Sequence, residues 1–147
     1  MGADALSEEF KSLYDEWGDA IARKRWDWFD RHFAEDFHGT AQPWRGLSVD
    51  KAQMIELDKA IETMEVEWLQ VEARRFGDTV LATGVVRYQK EQFRPGATIA
   101  EGMPTGDQLS ALVNGKSVLY IGAWRHNGKC WQVYDHHMIG IVEGFSP

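Results

Sequence analysis

The segment from Asn127 to Glu143 constrains the fold of this chain more than any other stretch. It opens with Asn127-Gly128, a dipeptide in which both residues tolerate positive φ and which is typical of a tight hairpin turn. A run rich in Trp, Val, Tyr and Ile follows, and these residues favour strands. The chain is therefore predicted to close with the last strand of an antiparallel sheet.

Strict alternation along that strand separates its side chains into two faces. One face is predicted to carry Trp131, Val133, Asp135, His137, Ile139 and Ile141, and the other Gln132, Tyr134, His136 and Met138. The first face is the more apolar, so we expect it to meet the core. Since an aspartate and a histidine are costly to bury there, Asp135 and His137 are the leading candidates for chemistry.

Composition limits the class of protein. With 147 residues, 44% of them hydrophobic, the chain is expected to form one domain over residues 1–147. Its net charge of −7 argues against a nucleic-acid surface. Cys130 is the single cysteine, so neither an intramolecular disulfide nor a cysteine cluster for zinc is expected. Without a predicted leader or membrane span, the expected location is the cytoplasm.

The first half of the chain shows helical periodicity. Apolar residues at three- and four-residue spacing predict helices over about Ser7–Arg23 and about Trp26–Phe33. The segment Asp36–Gly46 contains two glycines and a proline and is predicted to be extended chain and turn. A third helix is predicted to start with Ser48 as its N-cap and to end near Glu65.

The second half changes to strand patterns. Strands are predicted over Val66–Phe76, Thr79–Phe93 and Ser117–Arg125, and Arg94–Asp107 is predicted to be a loop. Gln108–Val113 fits either the start of a strand or a short helix capped by Thr105. Helices followed by a run of strands predict an α+β fold, with helices on one face of a curved antiparallel sheet.

The order of elements, Gly46 before the third helix, and a final hairpin with Trp124, Asn127-Gly128-Lys129 and Trp131 resemble the SnoaL-like branch of the nuclear transport factor 2-like superfamily. The resemblance implies a cone-shaped curved sheet with N-terminal helices on its concave face and a pocket at its open end. It also implies a homodimer across the outer sheet face. His137-Met138-Ile139-Gly140-Ile141 is similar to a motif of the polyketide cyclases, with histidine in place of their acidic base.

The resemblance orients Asp135 and His137 into the cone. His137 is then a candidate general base with Asp135 as its orienting carboxylate, and His38, in the loop after the second helix, is a candidate second proton carrier. A buried hydrogen-bonded pair with a structural role fits the sequence equally well. Asp135, His137 and His38 also form a workable two-histidine, one-carboxylate ligand set, but nothing in their spacing demands a metal, and no metal site is assigned.

Six further residues are assigned to substrate binding, because aromatic side chains and one mid-strand arginine can line a pocket. They are Tyr88, Arg87, Trp44, Trp124, Trp68 and Tyr14. The sequence thus predicts a cofactor-independent acid–base enzyme (isomerase, cyclase, dehydratase or related lyase) for an apolar, ring-bearing small molecule. The alternative is a small-molecule-binding or oligomerisation module without turnover.

Overall fold

The computed structural model describes residues 2–98 and 101–143 and contains helices and one mixed sheet. The helices are α1 (Gly2–Ala22), α2 (Trp26–His32), α3 (Lys51–Lys59) and α4 (Gly106–Val113). The strands are β1 (Phe33–Ala41), β2 (Ser48–Val49), β3 (Ile61–Phe76), β4 (Thr79–Phe93), β5 (Ser117–His126) and β6 (Trp131–Val142). In the described part of the chain, no helix is long and apolar enough to cross a bilayer.

The sheet is curved and open, with the strand order β2-β1-β6-β5-β4-β3. Its neighbouring strands are antiparallel except for β1 and β6, which run parallel. The predicted α+β class, with N-terminal helices on a curved sheet, is confirmed.

Helix α1 packs on the concave face through an aromatic stripe. The ring of Phe10 lies 5.5 Å from that of Trp124 and 5.1 Å from that of Trp131, both in edge-on contacts. Tyr14, one helical turn further on, contacts Trp124 at 5.5 Å. Phe10, Tyr14 and Trp124 are almost fully buried, so the periodicity of α1 marks the core.

The third helix is shorter at both ends than predicted. Its N-cap is Asp50 rather than Ser48, because Asp50 and Gln53 form a reciprocal capping box that satisfies two backbone N–H groups. The helix ends at Lys59, and β3 already begins at Ile61 instead of Val66. Strand β4 runs to Phe93, and its backbone groups need a partner along that whole length, so the segment from Ile61 pairs as strand despite its helical pattern.

The ambiguous segment before β5 is a helix. Thr105 caps α4, and its hydroxyl accepts from the N–H of Gln108 while the Gln108 side chain accepts from the N–H of Thr105. The helix stops at Asn114-Gly115, where Gly115 has a φ of 76°. Of the two alternatives, the capped helix is the one that the chain adopts.

A β-bulge in β6 reverses the predicted faces of the last strand. Ala123 pairs with Asp135 and Trp124 pairs with Val133, so Tyr134 has no partner residue on β5. Beyond this extra residue the alternation is shifted by one. His136 and Met138 are consequently buried on the concave side, whereas Asp135 and His137 lie on the outer side, and the prediction that these two point into the cone is wrong.

A second bulge, in β4, likewise changes the face of the sheet on which an acidic residue lies. Val66 pairs with Tyr88 and Glu65 pairs with Lys90, which leaves Gln89 unpaired. Tyr88 and Glu91 are therefore both buried, although they are three positions apart and a regular strand would place them on opposite faces.

Candidate functional site

The concave face of the sheet encloses a cavity of about 110 Å³ beneath α1, α3 and α4. Its wall is mainly aromatic and aliphatic, with contributions from each of these helices and from β1, β3, β4, β5 and β6. The polar side chains in this wall belong to Tyr14, Asp58, Tyr88, Glu91, Tyr120 and His136, together with the indoles of Trp17, Trp44 and Trp68. An apolar cavity with a few convergent polar groups is the usual form of a small-molecule site.

The residues assigned to substrate binding lie in three different positions. Tyr14, Tyr88, Trp44 and Trp68 line the cavity. Trp124 lies behind the wall, fully buried, and its Nε1 donates to the Tyr14 hydroxyl at 3.3 Å. Arg87 is exposed on the opposite face of β4 from Tyr88, so its assignment to the pocket is wrong, because alternation along the strand turns its side chain outward.

Two buried carboxylates are the main chemical feature of the cavity. Asp58 is 3% exposed and accepts from Trp17 Nε1 at 3.2 Å, and Glu91 is 8% exposed and accepts from Ser110 Oγ at 3.4 Å. Burial raises the pKa of Asp58 to about 7, against the hydrogen bond from Trp17 and with the help of the nearby Glu91 charge. Burial likewise raises the pKa of Glu91 to about 7. Both groups therefore titrate near neutral pH.

Local structure holds each carboxylate in place. Asp58 belongs to the last turn of α3, where the negative end of the helix dipole further disfavours an ionised acid. Glu91 is held through its backbone, because Asn114 Oδ1 accepts from its N–H at 2.6 Å and Asn114 Nδ2 donates to its carbonyl at 2.9 Å. The end of α4 is thereby tied to the point on β4 at which Glu91 enters the cavity.

Hydroxyl groups and one neutral histidine complete the polar set. The Trp124 indole can only donate, so the Tyr14 hydroxyl accepts a hydrogen bond from it. The same hydroxyl can then donate a hydrogen bond to His136 Nε2, 3.1 Å away. Burial, reinforced by the charge of His137, lowers the pKa of His136 to about 3 and keeps the imidazole neutral. The hydroxyls of Tyr88 and Tyr120 lie 2.6 Å apart, and burial raises the pKa of both, so each remains a protonated donor.

The buried Asp58 makes the stability of the fold depend on pH. Its folded pKa of about 7 is above the usual value of 3.8, so the folded state holds a proton that the unfolded state releases. The contribution of Asp58 to the free energy of unfolding is therefore fully present at low pH and is lost as pH rises through 7. We therefore expect the free energy of unfolding of Asp58→Asn, taken relative to that of the native chain, to rise by about 3 kcal/mol between pH 5 and pH 8. Urea unfolding of both proteins at the two pH values measures it, and a difference independent of pH contradicts it.

The catalytic candidates His38, Asp135 and His137 form a second cluster, on the outer face of the sheet. Asp135 Oδ1 lies 3.1 Å from His38 Nδ1 and 2.9 Å from His137 Nε2. The other nitrogen of His137, Nδ1, lies 2.6 Å from Thr40 Oγ1. Partial burial raises the pKa of Asp135, but the hydrogen bonds from His137 and His38 outweigh it and hold that pKa below its usual value.

This cluster does not face the cavity. The three side chains are between 27% and 54% exposed, and none of them lines the cavity wall. The structure brings together the residues that the sequence pointed to, but it separates them from the aromatic residues assigned to substrate binding. A catalytic role for the three residues remains a prediction.

Comparison with solved structures establishes the fold. A protein from Cytophaga hutchinsonii described as NTF2-like superposes with a TM-score of 0.66 and 16% identity, covering 93% of this chain and 95% of its own. A nuclear transport factor 2 superfamily protein from Salmonella enterica serovar Typhimurium gives a TM-score of 0.67 with 10% identity, over 97% and 95% of the two chains. This chain has the NTF2-like fold.

The association domain of C. elegans CaMKII also superposes on this chain, with a TM-score of 0.63, 12% identity and coverage of 93% of this chain and 97% of its own. No protein-family model matches the chain, and no curated protein sequence is similar to it. At these identities the NTF2-like architecture is shared, and a reaction cannot be transferred with it.

Sequence reasoning missed the residues that carry charge and polarity in the NTF2-like cavity of this chain, namely Asp58, Glu91, Tyr120 and His136. Asp58 carried no distinguishing signal, because a single acidic residue in a predicted helix usually faces solvent. Glu91 and His136 were missed because a bulge precedes each of them. Tyr120 carried a detectable signal, since it alternates with Val118 and Trp124 on one face of β5.

Proposed function

We propose that the cavity binds a small apolar molecule and that Asp58 and Glu91 move a proton on it. This is the acid–base chemistry of an isomerase, cyclase, dehydratase or related lyase. The observation that carries the proposal is the pair of buried carboxylates, each with a pKa near 7, in an otherwise mainly apolar cavity. Burying two acids without a cationic partner destabilises a fold, and perturbed groups of this kind concentrate at functional sites.

The coupling between the two acids assigns them complementary roles. The charge of Glu91 raises the pKa of Asp58, so near pH 7 the favoured state has one carboxyl protonated and the other ionised. The ionised member takes a proton from a carbon next to a carbonyl, and the protonated member returns one to another position of the same molecule. The two acids exchange roles without consuming a cofactor.

The tyrosine hydroxyls are placed to stabilise the intermediate. Removing a proton next to a carbonyl moves negative charge onto the carbonyl oxygen, which forms an enolate. Tyr88 and Tyr120 stay protonated, and a hydrogen bond from this hydroxyl pair to the enolate oxygen lowers the barrier, because the donors are fixed before the charge develops.

The size of the cavity limits the substrate. A dry cavity of about 150 Å³ holds one benzene molecule, so the 110 Å³ available here limits the ligand to at most a single ring and excludes a fused ring system. The rings of Tyr14, Trp68 and Tyr120 supply flat apolar surfaces against which such a ring can stack.

Deuterium exchange tests the proposal without knowledge of the natural substrate. Cyclohexanone in D₂O exchanges its α-protons slowly, and we expect the protein to accelerate this exchange, with a rate that is highest near pH 7, where one carboxyl is ionised and the other protonated. Proton NMR follows the loss of the α-signal, and ligand-detected NMR reports binding separately. Binding without accelerated exchange would instead support the non-catalytic small-molecule module.

The outer sheet face favours a second function, in self-association. Leu81 and Ile139 are 37% and 50% exposed on this face, and Leu119 and Ile121 lie between them half-buried. The structural similarity to the association domain of C. elegans CaMKII agrees with an assembly role. Tyr134, His136 and Met138 were predicted to share the face of the last strand that is turned away from the core, where the resemblance puts the dimer contact. His136 and Met138 are buried inside, so the aliphatic residues take their place.

We expect a homodimer in solution that Ile139→Lys converts to a monomer, because a charge in an apolar contact is left unpaired. Light scattering during size-exclusion chromatography measures the mass. The matched control is Leu112→Lys, which changes an equally exposed leucine on α4, away from the sheet face, and should remain dimeric. A native protein that is monomeric at micromolar concentration contradicts the assembly.

A further inference from the structure

The outer cluster has the composition and arrangement of a metal site. We propose that His38, Asp135 and His137 bind one divalent transition-metal ion, such as zinc or iron(II), on the outer face of the sheet. Two imidazole nitrogens and one carboxylate oxygen are the donor set that zinc and non-haem iron accept when further coordination positions stay open. The ligand atoms of the three residues all lie within 4.8 Å of one another.

Strand pairing fixes the ligands on a rigid frame. In the parallel ladder of β1 and β6, His38 is paired with Asp135 and Thr40 with His137. Because residues two apart on a strand share a face, these four side chains form one patch on two hydrogen-bonded strands. The bulge at Tyr134 brings Asp135 and His137 to this face, so the site depends on the feature that directs His136 into the cavity.

The observed distances match those around a metal ion. Ligand atoms each about 2.1 Å from a metal lie about 3.0 to 3.4 Å apart in octahedral or tetrahedral coordination. The contacts of Asp135 Oδ1 with His38 Nδ1 and His137 Nε2, at 3.1 and 2.9 Å, are close to that separation. The side chain of His38 is 54% exposed, so its imidazole has room to turn towards the nitrogen of His137, which lies within 4.8 Å.

A hydrogen bond behind the ligands supports this interpretation. Metal-binding histidines usually donate the proton of their second ring nitrogen to an oxygen, which fixes the tautomer and the ring orientation. Thr40 Oγ1 lies 2.6 Å from His137 Nδ1 and can accept that proton, leaving the lone pair of Nε2 for the metal. Three protein ligands on a partly exposed face leave room for water or a small ligand.

Isothermal titration of the tag-free protein with Zn²⁺ tests the site, and the absorption of Co²⁺ reports its geometry. We expect one ion per chain and a rise in melting temperature with added zinc. Each of His38→Ala, Asp135→Asn and His137→Ala should weaken binding by about 100-fold or more, and Thr40→Val by about 10-fold. Circular dichroism confirms that each variant is folded.

The matched control is His126→Ala, which removes another exposed histidine, on β5, whose Nδ1 accepts from the Gly128 N–H. This variant should bind zinc as the native protein does. Absence of binding in the native protein overturns the proposal, and so does zinc affinity that survives removal of any one of the three ligands. Loss of binding in His126→Ala would also overturn it, because the ion would then be elsewhere.

Discussion

Replacing Glu91 with Gln lowers the protein-catalysed exchange of cyclohexanone α-protons by about 10² to 10⁴-fold, the loss expected when a general acid or base is removed. Asp58→Asn has an effect of the same order, because proton transfer needs one acid and one base. Both replacements keep the size of the side chain and remove its charge, so cyclohexanone binding measured by NMR should persist while exchange is lost.

The matched control for this prediction is Glu62→Gln, an equally conservative change at an exposed position of β3. It should leave exchange and binding as they are in the native protein. If Glu91→Gln and Asp58→Asn both bind cyclohexanone and exchange its protons at the native rate, the two carboxylates are not the proton carriers. Loss of binding together with exchange would instead indicate a positioning role.

Replacing Gly122 with Ala destabilises the protein by about 3 kcal/mol or more, because it forces an extra carbon into a closed network. A Cβ at this position would lie 2.6 Å from Cδ2 of His136, 2.9 Å from the hydroxyl of Tyr14 and 3.2 Å from Nε1 of Trp124. All three side chains are buried and hold one another by hydrogen bonds, so none can move away cheaply. Urea unfolding at fixed pH measures the loss.

The matched control is Gly18→Ala on α1. Its Cβ would meet only Cγ2 of Val66, at 3.3 Å, and alanine gains about 1 kcal/mol in helix propensity. The stability of this variant should therefore lie within about 1 kcal/mol of the native value. If Gly122→Ala is as stable as the native chain, the packing around His136 is loose enough to accept a methyl group.

The regular parts of the fold follow from periodicity. The apolar spacing over α1 predicted a helix, and Phe10, Tyr14 and Trp17 of that pattern are buried. The Asn127-Gly128 turn predicted the last hairpin. These patterns are repeated over several residues, so one irregular position does not hide them. The capping box of Asp50 and Gln53 was also readable, but Ser48 offered a competing cap two residues earlier.

The positions of the site residues could not be predicted from periodicity, because they depend on single extra residues in strands. Nothing in the composition of Gln89 or Tyr134 marks a bulge, and each bulge exchanges the faces of the residues that follow it. Asp135 and His137 are two residues apart on β6, and their contact follows from the local geometry of a bulged strand. The register with β1 that adds His38 is a non-local pairing that no local pattern encodes.

Because of the bulge at Tyr134, the side chains of the tripeptide Asp135-His136-His137 lie on both faces of the sheet, one strand thickness apart. The middle residue contacts whatever fills the interior, and its neighbours contact whatever approaches from outside. If Tyr134 were instead paired with a residue of β5, regular alternation would place Asp135 and His137 in the interior and His136 on the exterior.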